Sequence, residues 1–99
     1  MKYMITWSFS ADKFLPACKG WGALSPQEQA DVGEGVKLIG RWFDVVGRGG
    51  VLILESDDLS AVARFCGRWN TLVDFVIKPV IGDEEAGVVC REITAYHNA

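Results

Sequence analysis

Two charged residues, Arg41 and Glu55, stand inside stretches of the sequence that are otherwise apolar. In a largely apolar cavity, the arginine could bind a carboxylate or an enolate, and the glutamate could orient the arginine or act as a base. The structural alternative is a partly solvated ion pair at a strand end or a subunit interface, which is the more common role of such charges. Lys78 has the same two interpretations, and its place in a strand that contains a proline favours the structural one.

Arg41 and Glu55 belong to Val36–Ser56, where two runs rich in Val, Ile, Leu, Trp and Phe flank a Gly-Arg-Gly-Gly segment. This pattern predicts a β-hairpin closed by a glycine turn. If the loop is Gly47–Gly49, Arg41 lies opposite Glu55; if the loop is one residue longer, Trp42 takes that place. We favour the first register because it pairs opposite charges, although a slip of one residue would reverse the faces.

Trp7, Trp42 and Trp69, three of the four tryptophans, are a high aromatic load for a chain of 99 residues. Tryptophan side chains bury a large area and most often belong to a core or an interface, but they can also line a pocket for a flat ligand. We assign Trp69 to the core. Trp7 and Trp42 join Arg41 and Glu55 as candidate ligand-binding residues.

The sequence predicts neither a metal site nor a cofactor. Cys18, Cys66 and Cys90 have no CxxC spacing and His97 is the only histidine, whereas a structural zinc site takes four ligands. The shortage of histidine also argues against heme ligation and against a Ser–His–Asp triad. We therefore expect the three cysteines to be reduced and to act as small buried hydrophobic residues.

The order of the predicted elements indicates the fold class. The first half contains a strand over Lys2–Phe9, a helix with the apolar stripe Ala11, Phe14, Leu15 and Cys18, and a helical turn capped by Ser25. After the hairpin come a helix over Leu59–Thr71, preceded by Asp57-Asp58, and a strand over Asp74–Ile81. A helical tail over Asp83–Ala99 follows. This β-α-β-β-α-β order is the α+β ferredoxin-like arrangement, a four-stranded antiparallel sheet with both main helices on one face. We expect a single domain, with its core in residues 1–82 and a helical tail in residues 83–99.

The second face of this sheet lacks the polar alternation that is typical of a face exposed to water. Both sides of the first hairpin strand carry large apolar side chains: Val36, Leu38 and Trp42 on one side, and Ile39, Phe43 and Val45 on the other. The helices of the chain can cover one face, and a second copy of the chain is the simplest cover for the other. The sequence therefore predicts a homodimer.

Charge and hydropathy exclude several classes of partner. The chain has a net charge of −3 and no stripe of Lys and Arg, which argues against nucleic acid and against an anionic membrane surface. No apolar run approaches the roughly 20 residues that span a bilayer, and the N-terminus lacks the features of a signal peptide. We expect a cytoplasmic protein.

Four segments resemble a family of small bacterial proteins known as domain of unknown function 3303: MKYMITWSF, VKLIGRWFDVVGRGG, ESDD and IGDEEA. The resemblance covers nearly the whole chain, and its most specific part is Gly40, Arg41, Trp42 and Asp44. The family looks related to the dimeric α/β-barrel group, in which two ferredoxin-like protomers press their open sheet faces together. That group includes cofactor-independent monooxygenases, isomerases and heme-degrading enzymes, so the resemblance implies a fold and a dimer but no single activity.

Three functions are compatible with the sequence. The first, which we favour, is a homodimeric module that binds a small, mostly apolar ligand with one anionic group. The second is a cofactor-independent enzyme of the monooxygenase or isomerase type, and the third is a structural or regulatory dimer whose sheet face meets another protein. A closed cavity with a polar spot favours the first two. Turnover of a quinol-like or lactone substrate that depends on Arg41 or Glu55 distinguishes the second from the first.

Overall fold

The computed structural model, which describes all residues from Met1 to Ala99, is an α+β fold built on one antiparallel sheet. The strands are β1 (Lys2–Ser8), β2 (Lys37–Asp44), β3 (Gly49–Glu55) and β4 (Asp74–Val80), and they lie in the order β2-β3-β1-β4. The helices are α1 (Phe14–Gly22), α2 (Pro26–Ala30), α3 (Leu59–Gly67) and α4 (Asp83–Asn98), with a 3₁₀ turn at Ala11–Lys13 before α1. The predicted ferredoxin-like order with a C-terminal helix is confirmed.

The core lies between one face of the sheet and α3. Alternate residues of β1 point to this covered face, where Ile5 is fully buried and Tyr3 nearly so. Leu52 and Leu54 of β3 lie beside them, because Ile5 pairs with Leu52 and Tyr3 with Leu54. The core also includes side chains from α3 and from the segment before β2: Val32, Val62, Phe65 and Cys66.

Helices α3 and α4 begin at the predicted residues, Leu59 and Asp83, whereas the inner side of α1 and the end of α3 differ from the prediction. Helix α1 begins at Phe14, which places Pro16 in the first turn, where its missing N–H is tolerated. Its inner side is formed by Phe14, Ala17 and Trp21, whereas Leu15 of the predicted stripe is 77% exposed. Helix α3 ends at Gly67 rather than Thr71. None of the four helices combines the length and the apolar character that a membrane span needs.

The turn between β2 and β3 differs from the predicted glycine turn. The loop is Val45–Arg48, and the residue with a positive φ of 57° is Arg48. A side-chain contact stabilises this loop, since the Gly47 N–H donates to Oδ1 of Asp44 at 2.8 Å. The next two glycines of the segment belong to β3, so their role is not that of a turn.

The strand register contradicts both predicted pairings of the hairpin. Arg41 pairs with Leu52 and Trp42 pairs with Val51, so neither of them lies opposite Glu55. A β-bulge is the cause, because the register passes from Leu38–Leu54 to Gly40–Ile53 and leaves Ile39 without a partner. An extra residue in one strand reverses the faces of all later side chains. Arg41 therefore points to the covered face of the sheet.

We call the opposite face of the sheet the open face. From the strand register it consists of four rows that run across the sheet: Val80, Lys2, Glu55 and Lys37; Lys78, Met4, Ile53 and Gly40; Val76, Thr6, Val51 and Trp42; and Asp74, Ser8, Gly49 and Asp44. The middle rows are mostly apolar, and Trp42 and Val76 are 61% and 53% exposed. One end of the open face carries three lysines and one glutamate, and the other end carries two aspartates.

Helix α4 extends away from the rest of the chain. All of its residues are exposed except Ala86 and Gly87, which are partly covered. The radius of gyration is 16.7 Å and the longest dimension is 56 Å, whereas a compact chain of this length has a radius near 13 Å. The helix contributes nothing to the core of its own chain.

Candidate functional site

A cavity of about 220 Å³ lies between the covered face of the sheet and helix α1, with α3 and the segment after it on one side. Thirteen of its seventeen lining residues are hydrophobic, and the aromatic ones dominate: Trp7, Phe9, Phe14, Trp21, Phe43, Phe65, Trp69 and Phe75. Pockets for small organic ligands have this composition, with few polar groups on mainly apolar walls.

Strand β2 supplies the two charged residues of the lining, Arg41 and Asp44. The β-bulge at Ile39 turns Arg41 toward the cavity side of the sheet, as the register requires. Asp44 stands at the end of the strand, where it is exposed and accepts a hydrogen bond from the backbone of the turn. Arg41 is therefore the more buried of the two charged residues that line this cavity.

The guanidinium of Arg41 has one hydrogen bond and one aromatic contact. Nη1 donates to the carbonyl oxygen of Gln29 in α2 at 2.9 Å. The guanidinium carbon lies 4.7 Å from the centre of the Trp21 ring, within the range of a cation–π interaction. Nη2 is buried and has no hydrogen-bond partner. Burial lowers the pKa of Arg41 from its ordinary value, yet an arginine side chain stays protonated in proteins.

The aromatic walls are formed by rings from three elements. Phe43 of β2 contacts Trp7 of β1 edge-to-face, with 5.2 Å between ring centres, and Trp21 of α1 at the same separation. Trp21 also contacts Trp69, at 5.9 Å between centres. Trp21 thus touches both the arginine and the neighbouring rings, and it joins α1 to the wall of the cavity.

Glycine in β3 makes room for this arrangement. A Cβ atom at Gly50 would overlap the indole of Trp7 and would lie 2.5 Å from the carbonyl oxygen of Trp42. Gly50 pairs with Trp7 on one side and Phe43 on the other. Because Gly50 has no side chain, the two aromatic rings meet across β3.

The structure brings together two of the four candidate residues of the sequence analysis. Arg41 and Trp7 line the cavity. Glu55 and Trp42 belong to the open face, so the predicted pairing of Arg41 with Glu55 is wrong. Glu55 has Lys2 and Lys37 as its cross-strand neighbours there.

Several cavity residues were not among the sequence candidates. Trp21 is the most important of them, and its spacing of seven residues from Phe14 indicates a shared helix face. Phe43 lies two residues after Arg41, so the two share a face in any extended strand. The bulge that turns both toward the cavity has no clear sequence signal apart from Gly40. Trp69, which we assigned to the core, is partly buried and lines the cavity.

The cysteines differ from the predicted set of buried residues. Cys66 is buried in the core, and burial raises the pKa of its thiol. Cys18 and Cys90 are exposed, and Cys18 lies at the lining of the cavity. The prediction of burial is therefore confirmed for Cys66 alone.

Comparison with known proteins gives a family. A family model described as Domain of unknown function (DUF3303) matches residues 1–93 of the chain. Searches among curated proteins and among solved structures found no match. The family match spans all four strands and most of α4, so the bulge, the cavity and the open face all lie within it.

Proposed function

We propose, from the premise that this chain belongs to the family described as Domain of unknown function (DUF3303), that its cavity binds a small, mostly apolar ligand with one anionic group. The observation that carries the proposal is Arg41, whose side chain lines an apolar cavity and whose buried Nη2 has no hydrogen-bond partner. The absence of a metal, of a cofactor and of a nucleic-acid partner stays a prediction.

The energetics of Arg41 support an anionic ligand. An unpartnered donor of a buried charged group costs about 1–3 kcal/mol or more. The folded protein is therefore less stable than it would be if every donor of Arg41 had an acceptor. A carboxylate or enolate that reaches Nη2 would supply the missing acceptor and a charge-assisted hydrogen bond. Such a ligand would therefore bind more tightly, because its binding removes the free-energy cost of the unpartnered Nη2.

The cavity walls indicate the rest of the ligand. The centre of the Phe43 ring lies 5.2 Å from that of Trp7 and 5.2 Å from that of Trp21, and aromatic walls of this kind suit a flat ring. A volume of about 220 Å³ is below the roughly 300–1,000 Å³ of pockets for drug-sized compounds. The ligand class that fits is an anionic compound with one or two rings.

The test is a thermal-shift screen with benzoate, salicylate and 1-naphthoate, each beside its neutral amide. A ligand at a hundred times its dissociation constant stabilises a protein by about 2.7 kcal/mol. In a domain of this size each kcal/mol raises the melting temperature by roughly 4–8 °C. We expect at least one acid to produce a shift of this order, and its amide to produce a clearly smaller one.

The Arg41→Met variant tests the role of the guanidinium. We expect this variant to fold with an unchanged or higher melting temperature and to lose the response to the acids, because functional sites are often less stable than they could be. Arg64→Met is the matched control, since Arg64 is 70% exposed on α3 and pairs only with Asp58 at 3.5 Å. Acids that bind Arg41→Met as well as wild type, or amides that bind better than acids, would refute the anionic part of the proposal.

We also propose that the protein is a homodimer in which a second copy covers the open face. The support is the two mostly apolar middle rows of the open face, in which Trp42 and Val76 are more than half exposed. Contiguous apolar surface of this kind is rare on monomers. Light scattering should give twice the chain mass of 10.9 kDa at micromolar concentration, and a monomer at all concentrations would refute the dimer but leave the ligand proposal intact.

A further inference from the structure

Helix α4 is an amphipathic helix with no buried residue. Ala86, Val89, Cys90 and Ile93 follow the i, i+3, i+4, i+7 spacing of one helix face. Val89 is 38% exposed and Ile93 53% exposed, so this face is in water as the single chain stands. An isolated helix of this length is only marginally stable. The apolar face therefore points to a partner.

The surface area of the chain agrees with a missing partner. The solvent-accessible surface is 6955 Å², whereas a folded monomer of this mass exposes about 5,600 Å². The excess, roughly 1,400 Å², is larger than the approximately 800 Å² that each protein contributes to a standard interface. The exposed helix and the open face together offer enough area for a stable dimer.

Charge identifies the partner surface. Between Asp83 and Asn98 the helix has four acidic residues and one arginine, so the whole net charge of −3 resides there and residues 1–82 are neutral. Three of these acids stand in the first turn of α4. The open face carries Lys2, Lys37 and Lys78 against one glutamate at one end. The acidic turn and the lysine end are complementary.

Dimensions and chain direction agree with this pairing. Sixteen helical residues measure about 24 Å, and the seven residues of a strand such as β1 or β3 measure about 23 Å, so the helix is as long as the open face. Val80, the last residue of β4, pairs with Lys2, so α4 leaves the sheet at the lysine end. Two copies that meet at their lysine ends can each lay α4 along the open face of the other.

We infer that α4 is exchanged between two copies of this chain, so that the apolar face of each helix packs on the open face of the other copy, with its acidic first turn over the lysines. This inference rests on the proposed homodimer and identifies the element that forms it. The ligand cavity lies on the other side of the sheet, so the exchange and the ligand proposal can fail separately.

Two neighbouring valines provide a matched test. Val89→Glu places a charge on the apolar face of α4, and Val88→Glu makes the same change about 100° further round the helix, on the side away from it. Val88 is 43% exposed, close to the value for Val89, so the two variants differ mainly in direction. We expect light scattering to show a dissociation constant of the dimer at least about tenfold higher for Val89→Glu, because burial of an unpaired charge is unfavourable. Val88→Glu should stay within about threefold of wild type.

Each outcome of this test has a definite meaning. A wild-type dimer that both variants leave unchanged would refute the exchange and would leave the homodimer in place. Equal weakening by both variants would also refute it, because a general effect on the helix would then be responsible. A monomeric wild-type protein would refute the exchange together with the homodimer.

A disulfide between copies tests the contact directly, even if Val89→Glu does not fold. Cys90 lies on the apolar face of α4, and Thr6 is exposed in the middle of the open face. In a background with Cys18→Ser, oxidation of Thr6→Cys should give a covalent dimer, and the further change Cys90→Ala should abolish it. A covalent dimer that persists without Cys90 would mean that the open faces of the two copies contact each other directly, and it would refute the exchange. The absence of any covalent dimer would also refute the exchange.

Discussion

Arg41 is a partly buried charged side chain whose hydrogen bonding is incomplete. Its guanidinium is partly desolvated, Nη1 donates to the carbonyl oxygen of Gln29, and Nη2 has no hydrogen-bond partner. The contact with Trp21 offsets part of this penalty. The sequence alone indicated Arg41 as a candidate because a charge inside an apolar strand is unusual. It could not indicate the correct partner, because a one-residue bulge decides which face the arginine takes.

Gly50 provides a prediction at the same scale. Gly50→Ala would force the new methyl group against the Trp7 indole and within 2.5 Å of the Trp42 carbonyl oxygen. We expect the free energy of unfolding in urea to fall by about 1–3 kcal/mol, as is typical of overpacking. Gly67→Ala is the control, because nothing lies within 4 Å of its Cβ position and alanine in a helix gains up to about 1 kcal/mol. If Gly50→Ala is as stable as wild type, the tight contact between β1 and β3 is refuted.

Cys66 provides a prediction about pH. Burial raises the pKa of its thiol in the folded chain, whereas in the unfolded chain the thiol ionises near pH 8.5. Above that pH the unfolded state binds fewer protons than the folded state, so the free energy of unfolding falls as the pH rises; below it this group contributes no pH dependence. Urea titrations between pH 7 and pH 10 should show a smaller decline for Cys66→Ala than for wild type. Parallel curves would show that Cys66 is not the cause of the decline.

At the scale of elements, local sequence patterns predicted which helices and strands exist better than they predicted the residues at which these elements end. Ser25 caps α2 as the sequence predicts and forms a capping box with Glu28, because both residues lie within one turn. The end of α3 and the inner side of α1 depend on contacts with distant residues, such as Trp69 with Trp21. The prediction of a glycine turn in the hairpin was wrong for the same reason. Gly50 is explained by the close approach of the Trp7 ring and not by the geometry of a turn.

The start of α3 gives a test of a single cap. The sequence offers Asp57 and Asp58 together, and the structure assigns the cap to Asp58, whose side chain accepts from the Ser60 N–H at 2.9 Å. Asp58→Ala should lower the free energy of unfolding by about 1 kcal/mol, the usual value of such a cap. Asp57→Ala is the matched control, because the only ion pair of Asp57 is a solvent-exposed one with the N-terminal amine at 3.6 Å. It should change stability by less than about 0.5 kcal/mol. Equal losses in chemical denaturation would contradict the assignment.

At the scale of the whole molecule, the sequence predicted the antiparallel sheet and its covering helices correctly. It did not predict that α4 extends away from them. The order of the strands and the covered face follow from alternation in β1 and from the right-handed crossovers of the two βαβ units. A helix that packs on another molecule has the same spacing of apolar residues as a helix that packs on the core of its own chain. Only the exposure of α4 and the 56 Å length of the molecule distinguish the two.

The stability of α4 should therefore depend on protein concentration, which hydrogen exchange can measure. In a dilute solution of monomers the helix lacks tertiary contacts, and its amides should exchange nearly as fast as those of an isolated helix, because propensity alone hardly stabilises 16 residues. As dimers form, burial of the apolar face against the second copy should slow this exchange in step with the dimer fraction from light scattering. The amides of β1 and β3, which surround the buried Ile5 and Leu54, serve as the internal control and should stay protected at every concentration. If α4 is as protected as these strands in the most dilute samples, its stability comes from within a single chain and the exchanged helix is refuted.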